Sequence, residues 1–252
     1  MRRRDLLLAA GAAGAASLLG AAPAWALGDA SKVDIVELDL PGTVSRPLAW
    51  KRMLYEIQRV SSVEAVERVP RVAPSDIALF DHPFAVLVGD GGFPELDEES
   101  VEHLTRYVTY GGFLFIDDVS GTEERGEFDR SVRRLLGRMF PTRSLVALDS
   151  EHSLYRAFFF ITAPAGRVMV QGHLEGIALD QITPIVYSRN DLSGALERSP
   201  SGRHVLPVVP GGEAQRREAV KLSVNLMLYA LTSNYKKDQA HVNALIEEGR
   251  FR

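Results

Sequence analysis

The sequence reads FAVLVG at residues 84–89, DEESVEHLTRYVTY at 97–110 and GGFLFIDD at 111–118. The first and third segments contain continuous apolar runs of strand length, which are typical of strands buried on both faces of a parallel sheet. Between them, apolar residues recur at helical spacing, acidic residues begin the segment, and a Gly-Gly pair follows it. The three segments therefore predict a β–α–β unit, with strands at 84–89 and 113–117 and a helix at 97–110.

The rest of the chain alternates between strand-like and helix-like patterns in the same way. Further strands are expected at Val33–Leu38, 63–69, 167–171, 184–188 and 204–209, and further helices from Pro47, over 128–139 and over 213–231. This order predicts an α/β fold, a three-layer sandwich with a mainly parallel central sheet. We expect one domain over residues 27–234 and a polar tail at 235–252, which contains at most a short helix.

The N-terminus has the features of an export signal. Arg2-Arg3-Arg4 precedes a modest Ala/Gly/Leu run, and Ala24-Trp25-Ala26 resembles a cleavage site. Arg3-Arg4-Asp5-Leu6-Leu7 is similar to the twin-arginine signal pattern. Residues 1–26 are therefore predicted to be a twin-arginine signal peptide, with cleavage after Ala26. We therefore expect a periplasmic protein whose partner during export is the Tat translocase. We expect it to contact the membrane only through this segment, before cleavage. An uncleaved anchor is the alternative.

The composition excludes several classes of protein. A formal net charge of −4 without a basic patch argues against nucleic-acid binding. The absence of cysteine excludes disulfides and cysteine-based metal sites. The pairs Arg133-Arg134, Arg216-Arg217 and Lys236-Lys237 are interpreted as solvated helix faces. The sequence also lacks phosphate-binding glycine loops, zinc-protease motifs and serine-hydrolase elbows, so we expect no cofactor and no resident metal.

Polar residues at the ends of predicted strands are the candidate site, because ligands of open α/β sheets bind beyond the carboxyl ends of the strands. The candidates for ligand binding are Asp90, Asp117, Asp118, Arg189, Asn190 and Asp191, and those for catalysis are Asp117, Asp118 and His152. Each has a structural alternative. The aspartates could cap helices or accept bonds from loop amides, the 189–191 segment could order its loop, and His152 could be a structural histidine.

The chain resembles the bacterial domain-of-unknown-function 4159 family from about Val33 to Asn234. The most specific match is Tyr107–Gly121, whose Gly-Gly-Phe-Leu-x-x-Asp-Asp core is similar to the family hallmark. Weaker matches are Phe128 with 132–134, the loop at 190–194 and the segment 225–232. His152 lies in Glu-His-Ser where the family has Asp-His-Pro. The resemblance implies a flavodoxin-like, class I glutamine-amidotransferase-like fold and strengthens Asp117, Asp118, His152, Asn190 and Asp191 as candidates, but it implies no activity.

Two functions remain open. Glutaminase chemistry of the kind known for this fold requires a cysteine nucleophile, which the chain lacks. The favoured hypothesis is a non-catalytic periplasmic domain that binds a small molecule, a glycan or a protein at the strand-end loops. The alternative is a hydrolase that uses Asp117 and Asp118 with His152 and Asp191, with or without the assistance of a divalent metal. A serine version of it would use Ser120.

Overall fold

The computed structural model of the chain describes residues 32–247, with side chains up to residue 233. The predicted leader therefore lies outside the described residues. The strands are β1 (Val36–Leu38), β2 (Arg71–Val72), β3 (Phe84–Gly89), β4 (Phe113–Asp118), β5 (Val146–Ala147), β6 (Glu175–Leu179) and β7 (Ile182–Ser188). The α-helices are α1 (Pro47–Val60), α2 (Glu98–Thr109), α3 (Glu127–Met139), α4 (Leu192–Leu196) and α5 (Gly212–Glu247).

One seven-stranded sheet forms the centre, in the order β2-β1-β3-β4-β7-β6-β5. The first five strands of that order run parallel, while β6 and β5 add an antiparallel edge. Both edge strands are only two residues long. The sheet is therefore mainly parallel, as predicted.

The predicted β–α–β unit is confirmed. β3 and β4 pair in parallel along their full length, and α2 connects them. The Asp97 side chain caps α2 by accepting a hydrogen bond from the Ser100 amide over 2.8 Å. After the helix, Gly111 adopts a φ of 114°, which other residues rarely reach, so the chain can turn directly into β4.

The helices cover both faces of the sheet. Alternate residues of β3 and β4 point to opposite faces, so Val86 and Phe115 pack with α1, α4 and α5, while Leu87 and Ile116 pack with α2 and α3. This arrangement is consistent with a three-layer sandwich and explains why the central strands contain continuous apolar runs.

Three predicted strands are wrong. Segment 63–69 forms a single bridge to Val33, and segment 204–209 forms a single bridge to Arg198. Segment 167–171 is a loop whose backbone bonds are made to another loop rather than to a strand. In each case the apolar residues are present but the backbone makes at most one bridge, and a strand requires a longer ladder of paired residues.

The closing helix differs from its predicted end. α5 begins at Gly212, close to the expected start, but continues past Leu231 to Glu247. It thus extends into the segment for which a separate short helix was predicted. Within residues 32–247, no helix combines the length and the apolarity needed to cross a bilayer.

Candidate functional site

The carboxyl edge of the sheet brings together most of the predicted site residues. Asp117 lies beside Ser188 in the pairing of β4 with β7, and the 189–191 loop follows directly. Asp118 lies beside Gly89, the last residue of β3. The expectation that these loops share one edge is therefore correct for Asp117, Asp118 and the 189–191 loop.

Asp117 holds the start of α4. Its carboxylate is fully buried, and its two oxygens accept hydrogen bonds from the Leu192 and Ser193 amides over 2.9 and 2.8 Å. The first amides of a helix have no partner within the helix, so an acceptor from another strand satisfies them. The hallmark aspartate thus fixes α4 onto β4, which is the structural alternative considered for it.

Asp118 and Arg189 order the loop that follows β4. Asp118 is buried and accepts hydrogen bonds from the Ser120 amide over 2.9 Å and the Tyr187 hydroxyl over 3.3 Å. The Arg189 guanidinium lies 3.9 Å from the Asp118 carboxylate and donates to the carbonyls of residues 122–124. Both side chains are therefore held by contacts within the protein, although the Nε atom of Arg189 is buried without a hydrogen-bond partner.

Asn190 and Asp191 join the same loop to the 164–171 segment. The Asn190 amide group donates to the Pro164 and Gln171 carbonyls over 2.7 Å each. Asp191 has a positive φ of 53°, caps α4 by accepting from the Gly194 amide, and forms an ion pair with Arg167. The two residues are buried, so the loop is held from both sides.

Burial perturbs the pKa of each of the two innermost carboxyl groups. Burial, reinforced by the nearby Asp191 carboxylate, raises the pKa of Asp117 to about 7. Burial also raises the pKa of Asp191, although its bond with Arg167 opposes the shift. A carboxyl group with a raised pKa can serve as a general acid, but both of these are enclosed by the loops that they hold.

Asp90 differs from the other aspartates because it is exposed, directly after β3. Among the described residues, no group of three or more His, Asp or Glu side chains is arranged to hold a metal ion. The ligand-binding role predicted for the strand-end residues stays a prediction, since a ligand would reach the buried carboxylates only if the loops opened.

His152 does not belong to this edge. Its Nε2 atom lies 3.0 Å from the Thr183 hydroxyl, near the first residue of β7, whereas Asp117 lies beside Ser188 at the last. Thr183 and Ser188 are five residues apart along β7, which corresponds to about 16 Å of strand. His152 and Asp117 therefore lie near opposite ends of β7. His152 also caps the short helix Ser153–Arg156, and burial lowers its pKa. Its predicted catalytic partnership with Asp117 is therefore wrong, and its contacts are those of a structural histidine.

A cavity of about 350 Å³ lies elsewhere, in the helical layer formed by α1, α4 and α5. We call it the arginine-lined cavity. Six of its lining side chains are basic: Arg52, Arg59, Arg198, Arg216, Arg217 and Lys221. Its apolar lining residues are Val60, Phe159, Ala195, Leu196, Val220 and Val224. His204, Glu56 and Glu213 complete the wall, so only two acidic residues line it.

The sequence does not predict the arginine-lined cavity, because the basic residues that line it come from distant segments of the chain. Arg216 in particular was interpreted as part of a solvated helix face, and this is wrong. Its side chain is buried and donates to the Ala195 carbonyl over 2.6 Å and the Leu206 carbonyl over 2.8 Å. The local signal is weak, because apolar residues lie only one turn after Arg216, at Ala219 and Val220, and exposed helices share this pattern.

The two regions are connected through α4. Asp117 and Asp191 fix the first turn of this short helix, and its last residues, Ala195 and Leu196, line the arginine-lined cavity. The buried carboxylates therefore position one wall of the cavity without contacting its interior.

A family model described as a domain of unknown function (DUF4159) matches residues 36–231. No curated protein matches the chain.

Proposed function

Since this chain belongs to the DUF4159 family, a domain family of unknown function, we propose from its geometry that it is a non-catalytic binding domain. We place its ligand site in the arginine-lined cavity rather than at the strand-end carboxylates. The observation that carries the proposal is the contrast between the two regions. The carboxylate oxygens of Asp117 are buried against backbone amides, whereas the cavity has a volume within the range of small-molecule sites, which is about 300–1,000 Å³.

The hydrolase alternative has weaker support. The raised pKa of Asp117 favours it, but His152 lies at the opposite edge of the sheet. The Ser120 hydroxyl is 3.3 Å from the Thr122 hydroxyl, and neither His152 nor Asp191 bonds to it. The remaining candidates therefore lack an arranged base and nucleophile.

A thermal-shift screen tests the binding proposal. The wild-type chain and a Val60→Trp variant, whose larger side chain fills the cavity, are compared over a library of anionic, neutral and cationic small molecules. We expect compounds that raise the melting temperature of the wild type and not that of the variant. Turnover of an ester, amide or glycoside panel that disappears in a folded Asp117→Asn variant would instead support the hydrolase.

We further propose that the domain works in the periplasm after twin-arginine export. The support is the leader sequence, with its Arg3-Arg4 pair, modest apolar run and Ala24-Trp25-Ala26 end. Cell fractionation of the tagged full-length chain tests the location, and a purely cytoplasmic signal would contradict it.

We also propose that the fold is of the flavodoxin-like, class I glutamine-amidotransferase-like type. Numbered by themselves along the chain, the five parallel strands have the order 2-1-3-4-5, which is that of flavodoxin-like doubly wound sheets. An experimental structure with another strand order would contradict this assignment. The fold would be used without glutaminase chemistry, because the chain contains no cysteine.

A further inference from the structure

We infer that the arginine-lined cavity binds an organic anion, in which a carboxylate or phosphate group is joined to an apolar body. The inference deepens the proposed binding function and rests on it.

The first argument is the charge balance of the wall. Six basic side chains line the cavity and only two acidic ones, although the whole chain has a net charge of −4. Glu56 is shared between Arg52 and Arg59, and Glu213 pairs with Arg216. Lys221 pairs with Glu218, which does not line the cavity. Within the described part of the chain, Arg198 and Arg217 have no carboxylate partner. A bound anion would offset this excess positive charge.

The second argument is that donors remain available. Among the described side chains, the Nε atoms of Arg52 and Arg198 are buried and have no hydrogen-bond partner. A buried donor without a partner costs free energy that an acceptor on a ligand would recover. Arg198 donates otherwise only a long 3.4 Å bond to the Gly202 carbonyl, so its guanidinium is free to turn toward a ligand.

The third argument is the lining between the cations. Val60, Phe159, Leu196, Val220 and Val224 provide apolar wall beside the guanidinium groups. An inorganic ion would leave this surface unused, whereas an apolar body attached to the anionic group would bury it. The chemistry of the wall therefore selects an amphipathic anion.

His204 offers a reporter of occupancy. Burial, together with the positive charges of Arg216, Arg198 and Arg52, lowers the pKa of His204, and only Glu213 opposes this. An anion in the cavity would counter the positive charges and raise that pKa. An NMR pH titration with and without ligand, with the resonance assigned through a His204→Gln variant, measures the change.

The binding experiment uses two naphthalene probes that differ in charge. These are 8-anilinonaphthalene-1-sulfonate, which is an anion, and dansylamide, which is neutral. Each probe is titrated by calorimetry into the protein that begins at residue 27, after the predicted leader. We expect the anion to bind in a one-to-one complex and to bind more tightly than dansylamide. The double variant Arg198→Gln, Arg217→Gln should weaken anion binding about tenfold or more, the scale of a lost charged hydrogen bond.

An exposed arginine outside the cavity gives the matched control. Arg203→Gln should leave anion binding unchanged, since Arg203 is exposed and does not line the cavity. Circular dichroism verifies that every variant is folded.

The outcomes separate the two proposals. If Val60→Trp abolishes probe binding but the Arg198/Arg217 double variant leaves anion binding unchanged, the cavity binds ligands without selecting anions, and only the inference fails. If dansylamide binds and the anion does not, the inference of anion binding also fails, while the binding function of the cavity stands. If neither probe binds, or if Val60→Trp changes nothing, the binding function assigned to the cavity fails as well.

Discussion

At the scale of single residues, the buried carboxylate of Asp117 explains most of the arrangement of the strand-end residues. A side chain that accepts two amide bonds from a neighbouring element joins β4 to α4 in one step. Such a residue resembles a catalytic aspartate in the sequence, because both are acidic residues at a strand end. Only the direction of the neighbouring amides distinguishes the two roles.

Replacing Asp117 by Asn should destabilise the protein by about 2 kcal/mol, because one of the two amides would then meet an NH₂ group instead of an acceptor. Urea unfolding measures the change in the free energy of unfolding. Asp90→Asn is the matched control, since Asp90 is an exposed aspartate at the same edge. An Asp117→Asn variant as stable as the control would contradict the anchoring role.

The stability of the protein should also depend on pH through Asp117. Its pKa in the folded chain is about 7, above the value of about 3.9 for an unfolded carboxyl group. Between these values the folded state keeps a proton that the unfolded state releases, so the free energy of unfolding falls as pH rises from about 4 to about 7. The gap of about 2 kcal/mol between wild type and Asp117→Asn applies near pH 4. Urea unfolding across this range should show the gap narrowing as pH increases and closing before pH 7, because linkage changes the wild-type stability by about 1.4 kcal/mol per pH unit. A constant gap would contradict the raised pKa.

At the scale of elements, α5 ties a long connection to the rest of the helical layer. Asn225 on this helix is fully buried, accepts a hydrogen bond from the Phe159 amide and donates to the Leu154 and Phe159 carbonyls. Phe159 in turn lines the arginine-lined cavity. One helix residue therefore holds the loop that brings Phe159 to the wall of the cavity.

Asn225→Leu should cost about 3 kcal/mol, because it leaves one buried amide and two carbonyls without partners. Thermal or urea unfolding measures the loss. Thr232→Val on the same helix is the control, since the Thr232 hydroxyl bonds only to carbonyls of its own helix. Equal stability of the two variants would show that the loop is held by other contacts.

Gly166 shows how closely two loops approach at the strand-end edge. A Cβ atom at this position would lie 1.9 Å from the Asn190 carbonyl oxygen. Gly166→Ala should therefore shift the 164–171 segment away from the 189–191 loop and destabilise the protein, whereas Gly172→Ala, with open space around it, serves as the control. Amide hydrogen exchange should rise at Arg167 and Val168, whose amides bond to that loop. Unchanged protection would contradict the close packing.

The elements that the sequence predicted well are those with local signals. The Asp97 cap and the Gly111 turn are determined within a few residues, and the continuous apolar runs of β3 and β4 are typical of strands buried on both faces of a sheet. The 167–171 segment could not be predicted, since its conformation depends on the 189–191 loop, which lies about 20 residues further along the chain. The arginine-lined cavity has the same property, because Arg52, Arg198 and Arg216 meet only after folding.

At the scale of the whole molecule, the twin-arginine prediction for residues 1–26 can be tested apart from the described domain. Fusing residues 1–30 to a reporter should direct it out of the cytoplasm, and replacing Arg3-Arg4 with Lys-Lys should block export, because the twin-arginine pattern would be lost. Reporter activity in the periplasmic fraction is the measurement. Continued export of the Lys-Lys fusion would contradict the twin-arginine prediction.

The two-residue edges of the sheet have a further consequence. A long, bare outer strand presents a row of unpaired amides and carbonyls on which a second chain can add its own strand. Here β2 and β5 present very few such groups, and Arg71 in β2 forms an ion pair with Asp39 beside it. These two short edge strands thus offer little template for edge-to-edge aggregation, although five of the seven strands in the described part of the chain build a continuous parallel sheet.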